Sequence, residues 1–273
     1  MAPSVTAGMR WFFRVAAGLA LAAGVLLFGL ATETDRFFSW TIEPPLTAAF
    51  LGAAYWAAFV LLAWAATQEN WLRARTAVPP VFTIAALLLV ATLTHLDKFD
   101  LDSVFGWFWT IVYVLVTPLL VGLVVREQRL DPAVVEPGRP IPLWLRALLS
   151  LQAAIMLALG VALMLAPEDA ASLWPWTLTP LTGRAIGAFL IGFGVAAVFA
   201  VRDDDVRRLH GAALAYAALG ALELVAAALH SEDLGEGADG PVYLGFCITV
   251  LAVGLYGSLA GRSSARRASS GSR

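Results

Sequence analysis

The sequence predicts an all-α, polytopic integral membrane protein with eight transmembrane helices in a parallel 4+4 internal repeat. Three observations predict it. Of 273 residues, 60% are hydrophobic and only 14% are charged, which matches eight spans of about 20 apolar residues each. The basic residues fall in alternate loops. The chain also aligns with itself over four helices at a nearly constant shift. A soluble domain of this length carries roughly a quarter charged residues, so that class is excluded, as are a disordered chain, a disulfide scaffold and a nucleic-acid module. Lys+Arg 18 against Asp+Glu 20 gives no general attraction for polyanions. The single Cys247 allows neither a disulfide nor a Cys-x-x-Cys pair.

Apolar runs bounded by charge, Pro or Gly place the spans at 11–31, 46–67, 78–96, 104–125, 144–166, 181–201, 210–230 and 241–261. The longest connection runs from Arg126 to Leu143, and residues 262–273 form a Ser/Arg-rich tail expected to be disordered. On one face lie Arg10, Arg14, Arg73, Arg75, Arg126, Arg129, Arg139, Arg146, Arg202, Arg207, Arg208, Arg262, Arg266, Arg267 and Arg273. The opposite face has Arg36, Lys98 and Arg184. The positive-inside rule then predicts a cell-membrane protein with both termini cytoplasmic. Acidic residues such as Glu33, Asp35, Asp97, Glu168, Asp169, Glu232 and Glu236 gather on the outer face as a solvated rim. Trp11, Trp40, Trp71, Trp144, Trp174 and Trp176 stand near span ends, where an aromatic belt is expected. Arg10 and Arg14, an apolar run and Gly29-Leu30-Ala31 have the layout of a secretory leader. The internal repeat argues against its removal, because the first helix is equivalent to the fifth.

At a shift of 136, Arg10 meets Arg146, Gly24 meets Gly160, Trp40 meets Trp176 and Thr41 meets Thr177. After one residue drops out near Pro44-Pro45, a shift of 135 aligns Leu46-Thr47 with Leu181-Thr182, Gly52-Ala53 with Gly187-Ala188, Arg73 with Arg208 and His95 with His230. Residues 1–135 thus form a first repeat and 136–261 a second. Four helices is an even number, so both halves share one orientation and their pseudo-two-fold axis lies along the membrane normal. A groove or cavity is expected between the bundles. Gly183, Gly187, Gly192, Gly194, Gly257 and Gly261 are read as helix-packing positions.

Glu223 is the leading candidate for chemistry, since a carboxylate inside a span needs a partner or a proton. Tyr216, Gly220, Glu223, Ala227 and His230 follow helical spacing and define one small or polar face. Arg184, about one turn into its span from the same side, is the expected partner. Arg184 and Glu223 align with Ala49 and Leu88, so the polar pair is peculiar to the second half. His95 and His230 align across the repeat, and a haem or another metal between them is the one cofactor alternative; otherwise no cofactor is expected. Phe37-Phe38-Ser39-Trp40-Thr41 and Ala171–Thr177 read as interfacial half-turns or as a lid. Asp203-Asp204-Asp205 with Arg207-Arg208 reads as a solvated ionic loop rather than a metal–diphosphate site.

These residues support a multi-pass protein that binds or transports a small molecule or lipid at an outer-leaflet-side site in the second repeat. Two alternatives stay open: a structural or assembly subunit of a membrane complex, and a membrane-embedded enzyme or redox protein using Glu223 or the His95/His230 pair. Expected partners are membrane lipids, with a small-molecule ligand or other membrane subunits, and no nucleic acid.

Overall fold

The computed structural model of the chain describes residues 4–99, 104–128, 139–235 and 237–270, with side chains as far as Gly261. Most of the long connection expected between Arg126 and Leu143, and Glu236, lie outside the described residues. Among the described residues, eight helices are long and apolar enough to cross a membrane, which identifies a multi-pass membrane protein. They are α1 (Ala7–Gly29), α2 (Pro45–Ala66), α3 (Val78–Thr94), α4 (Val104–Gln128), α5 (Leu143–Leu165), α6 (Pro180–Asp203), α7 (Val206–Leu229) and α8 (Asp239–Ser270). A short helix Trp71–Ala74 and a 3-10 turn Arg75–Ala77 lead into α3. Every span lies within a few residues of its expected position. The last helix is described as far as Ser270.

Local chemistry sets the helix ends. Pro45 and Pro180 open α2 and α6, where a missing N–H is no loss. Thr179 and Thr182 close a reciprocal cap on α6. Asn70 and Asp205 each accept a hydrogen bond from the backbone N–H two residues on. Asp204 ends α6 at a left-handed φ of 46°. Its carboxylate also binds the Ile141 N–H at 2.9 Å and forms an ion pair with Arg146. Asp205 pairs with Arg208 at 3.4 Å, and Asp203 with Arg208 at 3.6 Å. The triple-aspartate run is thus held by arginines as an ionic turn.

α2 and α6 are the most enclosed spans, and fully buried Leu46, Leu51, Ile186 and Phe189 stand on them. α1 packs along α2, and α5 along α6. Gly24 faces the Gly52 carbonyl, and Gly160 faces the Gly187 carbonyl. Small residues are required there: a Cβ on Gly52 would stand 2.5 Å from the Phe28 nitrogen, and one on Gly187 2.7 Å from the Gly160 oxygen. The first four spans meet the last four through α2 against α7 and α3 against α6. α7 and α8 form the most extensive pair, whereas α3 and α4 touch much less.

The tryptophan reading needs correction. Trp11 and Trp144 are exposed as a belt requires, but Trp40, Trp71, Trp174 and Trp176 are buried. The segments carrying Trp40, Trp174 and Trp176 fold back over the helix ends, which puts these indoles in the core. Trp40 meets Phe38, Phe99 and Trp109, while Trp174 and Trp176 meet Phe50 and Tyr243.

Candidate functional site: an acid in an apolar cavity

Glu223 sits on α7 at 2% exposure. The Tyr243 hydroxyl of α8 donates to its Oε2 at 2.8 Å, and its Oε1 is buried with no hydrogen-bond partner. The residue lines a cavity of about 200 Å³. The walls come from α5 (Ile155, Met156, Leu159), α6 (Leu190, Phe193), α7 (Leu219, Gly220) and α8 (Phe246, Cys247, Val250). Phe50 of α2 and Trp174-Pro175 of the preceding loop complete it, and Asp239 stands at the start of α8. Trp174 Nε1 is a second buried polar atom without a partner. An acceptor and a donor, both unsatisfied, therefore belong to residues lining one apolar space. A buried unpaired polar atom costs about 1–3 kcal/mol, so each of these atoms calls for a polar partner.

The cavity is not sealed on the side away from the protein core. Ile155 and Val242 line it and are also exposed on the outer surface of the bundle. α5 and α8 touch only sparsely, joined by Gln152 against Thr249 and Trp144 against Tyr256, and the exposed Ile155 and Val242 mark the side on which the cavity opens. Tyr216, expected beside Glu223, stands behind the wall. Its hydroxyl donates to the Phe193 carbonyl at 3.2 Å, with Met156 Sδ at 3.5 Å.

Arg184 is not the partner of Glu223. Its Nε donates to the Met164 carbonyl at 3.1 Å and its Nη1 to His95 Nε2 at 2.8 Å. His95 Nδ1 lies 3.1 Å from the Ala91 carbonyl. A carbonyl only accepts, so Nδ1 carries the proton and Nε2 is the acceptor. The physical reason for the misassignment is azimuth. Depth along the span places both residues near one level, but α6 packs against α3 and α5, while α7 packs against α2 and α8. Arg184, His95, Lys98, Glu168 and Asp169 instead line a separate, polar cavity of about 620 Å³.

His95 and His230 occupy matching places: each caps the end of its helix and precedes a 3-10 turn. Arg184 occupies the Nε2 side of His95, and His230 is not among the residues of the Arg184 cavity. The sequence reading missed Tyr243, Cys247 and Trp174. Tyr243 and Cys247 are four apart on α8, a helical-face signal of the kind that defined the α7 face. Nothing in the spacing reveals that α8 packs on α7.

A third, smaller cavity of about 110 Å³ lies among α1, α2, α3 and α4. Tyr55 and Tyr113 meet there through a hydroxyl pair at 2.6 Å. No protein family, curated protein or solved structure matches this chain.

Proposed function

We propose that this protein binds a lipid-soluble small molecule in the cavity between α5, α6, α7 and α8, anchors it on Glu223, and takes it up from the bilayer through the opening between α5 and α8. The observation that carries this reading is the Glu223 carboxylate, buried in an apolar cavity with one oxygen unpaired. Intramembrane acids are costly and face interiors or pathways, and largely preformed apolar pockets with a few polar groups are the usual form of a ligand site. Transport of the ligand between leaflets or across the membrane is the activity consistent with such a site.

The scaffold is read as a parallel 4+4 repeat in the cell membrane, with the arginine-rich face and both termini cytoplasmic. Three structural correspondences support the repeat. At a shift of 136, Leu19, Ala20 and Ala23 of the smaller cavity fall on Ile155, Met156 and Leu159 of the larger. At a shift of 135, Tyr55, Ala58, Ile84 and Ala85 fall on Leu190, Phe193, Leu219 and Gly220. The extended segments before α1 and α5 engage matching linkers, Val5 N–H on the Glu69 carbonyl and Ile141 N–H on Asp204. On this reading the two halves carry equivalent cavities, and only the second has acquired an acid. The cavity mouth lies on the side predicted to be extracellular, consistent with an outer-leaflet ligand.

Native mass spectrometry of the protein released from lipid nanodiscs tests the reading. Wild type should retain a small molecule or lipid that Glu223→Gln loses. Bare protein in both samples, or a protein partner retained in both, would favour the assembly-subunit alternative.

A further inference from the structure

Resting on the cavity reading above, we infer that the ligand is a free lipophilic amine, with an apolar tail in the cavity and a basic nitrogen that donates to Glu223 Oε1. Oε1 lacks a donor, and among the described residues no Arg, Lys or His lines the cavity. The protein therefore supplies no countercharge. An amine does. An acid and an amine hold one exchangeable proton between them, and the pair is neutral overall whichever of them carries it. That removes much of the cost of burying a lone ion.

The walls agree with a cationic head. Phe50, Trp174 and Tyr243 of the lining pack with Trp176 in one ring cluster, with centroids 5.2–6.4 Å apart, and aromatic faces attract ammonium groups. Asp239, also lining the cavity, disfavours fatty acids and phosphate-bearing heads. A phosphatidylethanolamine would bring a phosphate beside its amine, with no basic lining residue to meet it. Trp174, whose Nε1 is unpaired, lines the same cavity and offers a donor to an oxygen on the ligand.

The test uses the full chain in phosphatidylcholine nanodiscs, with decylamine, decanol and decanoate as probes. Binding is read by native mass spectrometry and by the shift in thermal midpoint. Wild type should bind decylamine in preference to the others. Glu223→Gln, which keeps the side-chain shape and the Tyr243 contact, should weaken decylamine about tenfold or more while leaving decanol nearly unchanged. Leu159→Trp, which fills the cavity, should displace every probe. If decanol or decanoate binds as well as decylamine and is displaced by Leu159→Trp, the amine assignment is wrong and the cavity reading stands. If Leu159→Trp displaces nothing, the cavity reading itself fails. Discs containing phosphatidylethanolamine separate the two sources of an amine. Lipid retained by wild type, lost in Glu223→Gln and competing with decylamine would overturn the free-amine assignment in favour of a bilayer lipid.

Discussion

Glu223 and Arg184 show how two intramembrane charges at similar depth can serve different ends. Arg184 has its Nε and Nη1 engaged and ties the end of α5 to the end of α3, which is a structural task. Arg184→Ala leaves the Met164 carbonyl and His95 Nε2 unpaired and should destabilise the protein by about 1–2 kcal/mol, read as a lower thermal midpoint. Its ligand occupancy at Glu223 should equal that of wild type. A loss of ligand with unchanged stability would reverse the two roles. Glu223→Gln should behave in the opposite way, keeping the thermal midpoint of the ligand-free protein and losing the ligand. A sequence gives the depth of each residue directly, because 1.5 Å of rise per residue is fixed. It does not give azimuth against a neighbour, and that is why the expected Arg184–Glu223 pair is absent while Tyr243 went unnoticed.

Between elements, contacts are set by small residues and by the turns that tie spans together. A Cβ on Gly254 would stand 2.2 Å from the Ala217 nitrogen, so α7 and α8 approach with almost no space between backbones. Gly254→Val should therefore overpack this pair at a cost of about 1–3 kcal/mol and disturb the Tyr243–Glu223 contact, measurable as a lower midpoint together with weaker ligand retention. On the arginine-rich face, Asp204 joins the start of α5 to the end of α6. Its carboxyl is held below the usual aspartate range, first by the hydrogen bond from Arg146 and then by the Ile141 N–H. A lowered folded-state value means this tie is complete above the ordinary aspartate range and is lost as pH falls through the lowered value. Asp204→Asn should accordingly flatten the acid limb of the plot of thermal midpoint against pH. An acid limb identical to wild type would show that the turn contributes nothing. The spans themselves were legible because long apolar runs and their flanking charges have few alternatives. The buried Trp40, Trp174 and Trp176 were not, because belt and roof tryptophans occupy the same sequence positions beside a span and differ only in how the loop folds back.

Over the whole molecule, two similar groups of spans differ in one respect that matters for function. The α1–α4 cavity carries a phenol pair whose hydroxyls bond each other, while the α5–α8 cavity carries an acid with a vacant oxygen. On the proposed repeat, one altered copy explains why Glu223 stands out against Leu88 in the sequence. The proposed orientation is open to direct test on a Cys247→Ala background. Exposed Ser172 and exposed Ser4 lie on opposite faces, so an impermeant thiol reagent added outside intact cells should label Ser172→Cys and spare Ser4→Cys. The reverse pattern would invert the topology. Which chemistry the cavity serves was not readable from the sequence, because it depends on five helices and a loop converging around a single carboxylate.

The central claim is that the cavity beside Glu223 is a ligand site rather than a packing defect. A crystal structure of the purified protein grown from a lipidic mesophase tests it most directly. The account predicts non-protein density in the cavity, with a polar atom within hydrogen-bonding distance of Glu223 Oε1 and an apolar body leading out between α5 and α8. A cavity closed by its own side chains, with Glu223 Oε1 bonded to another protein group, would contradict it.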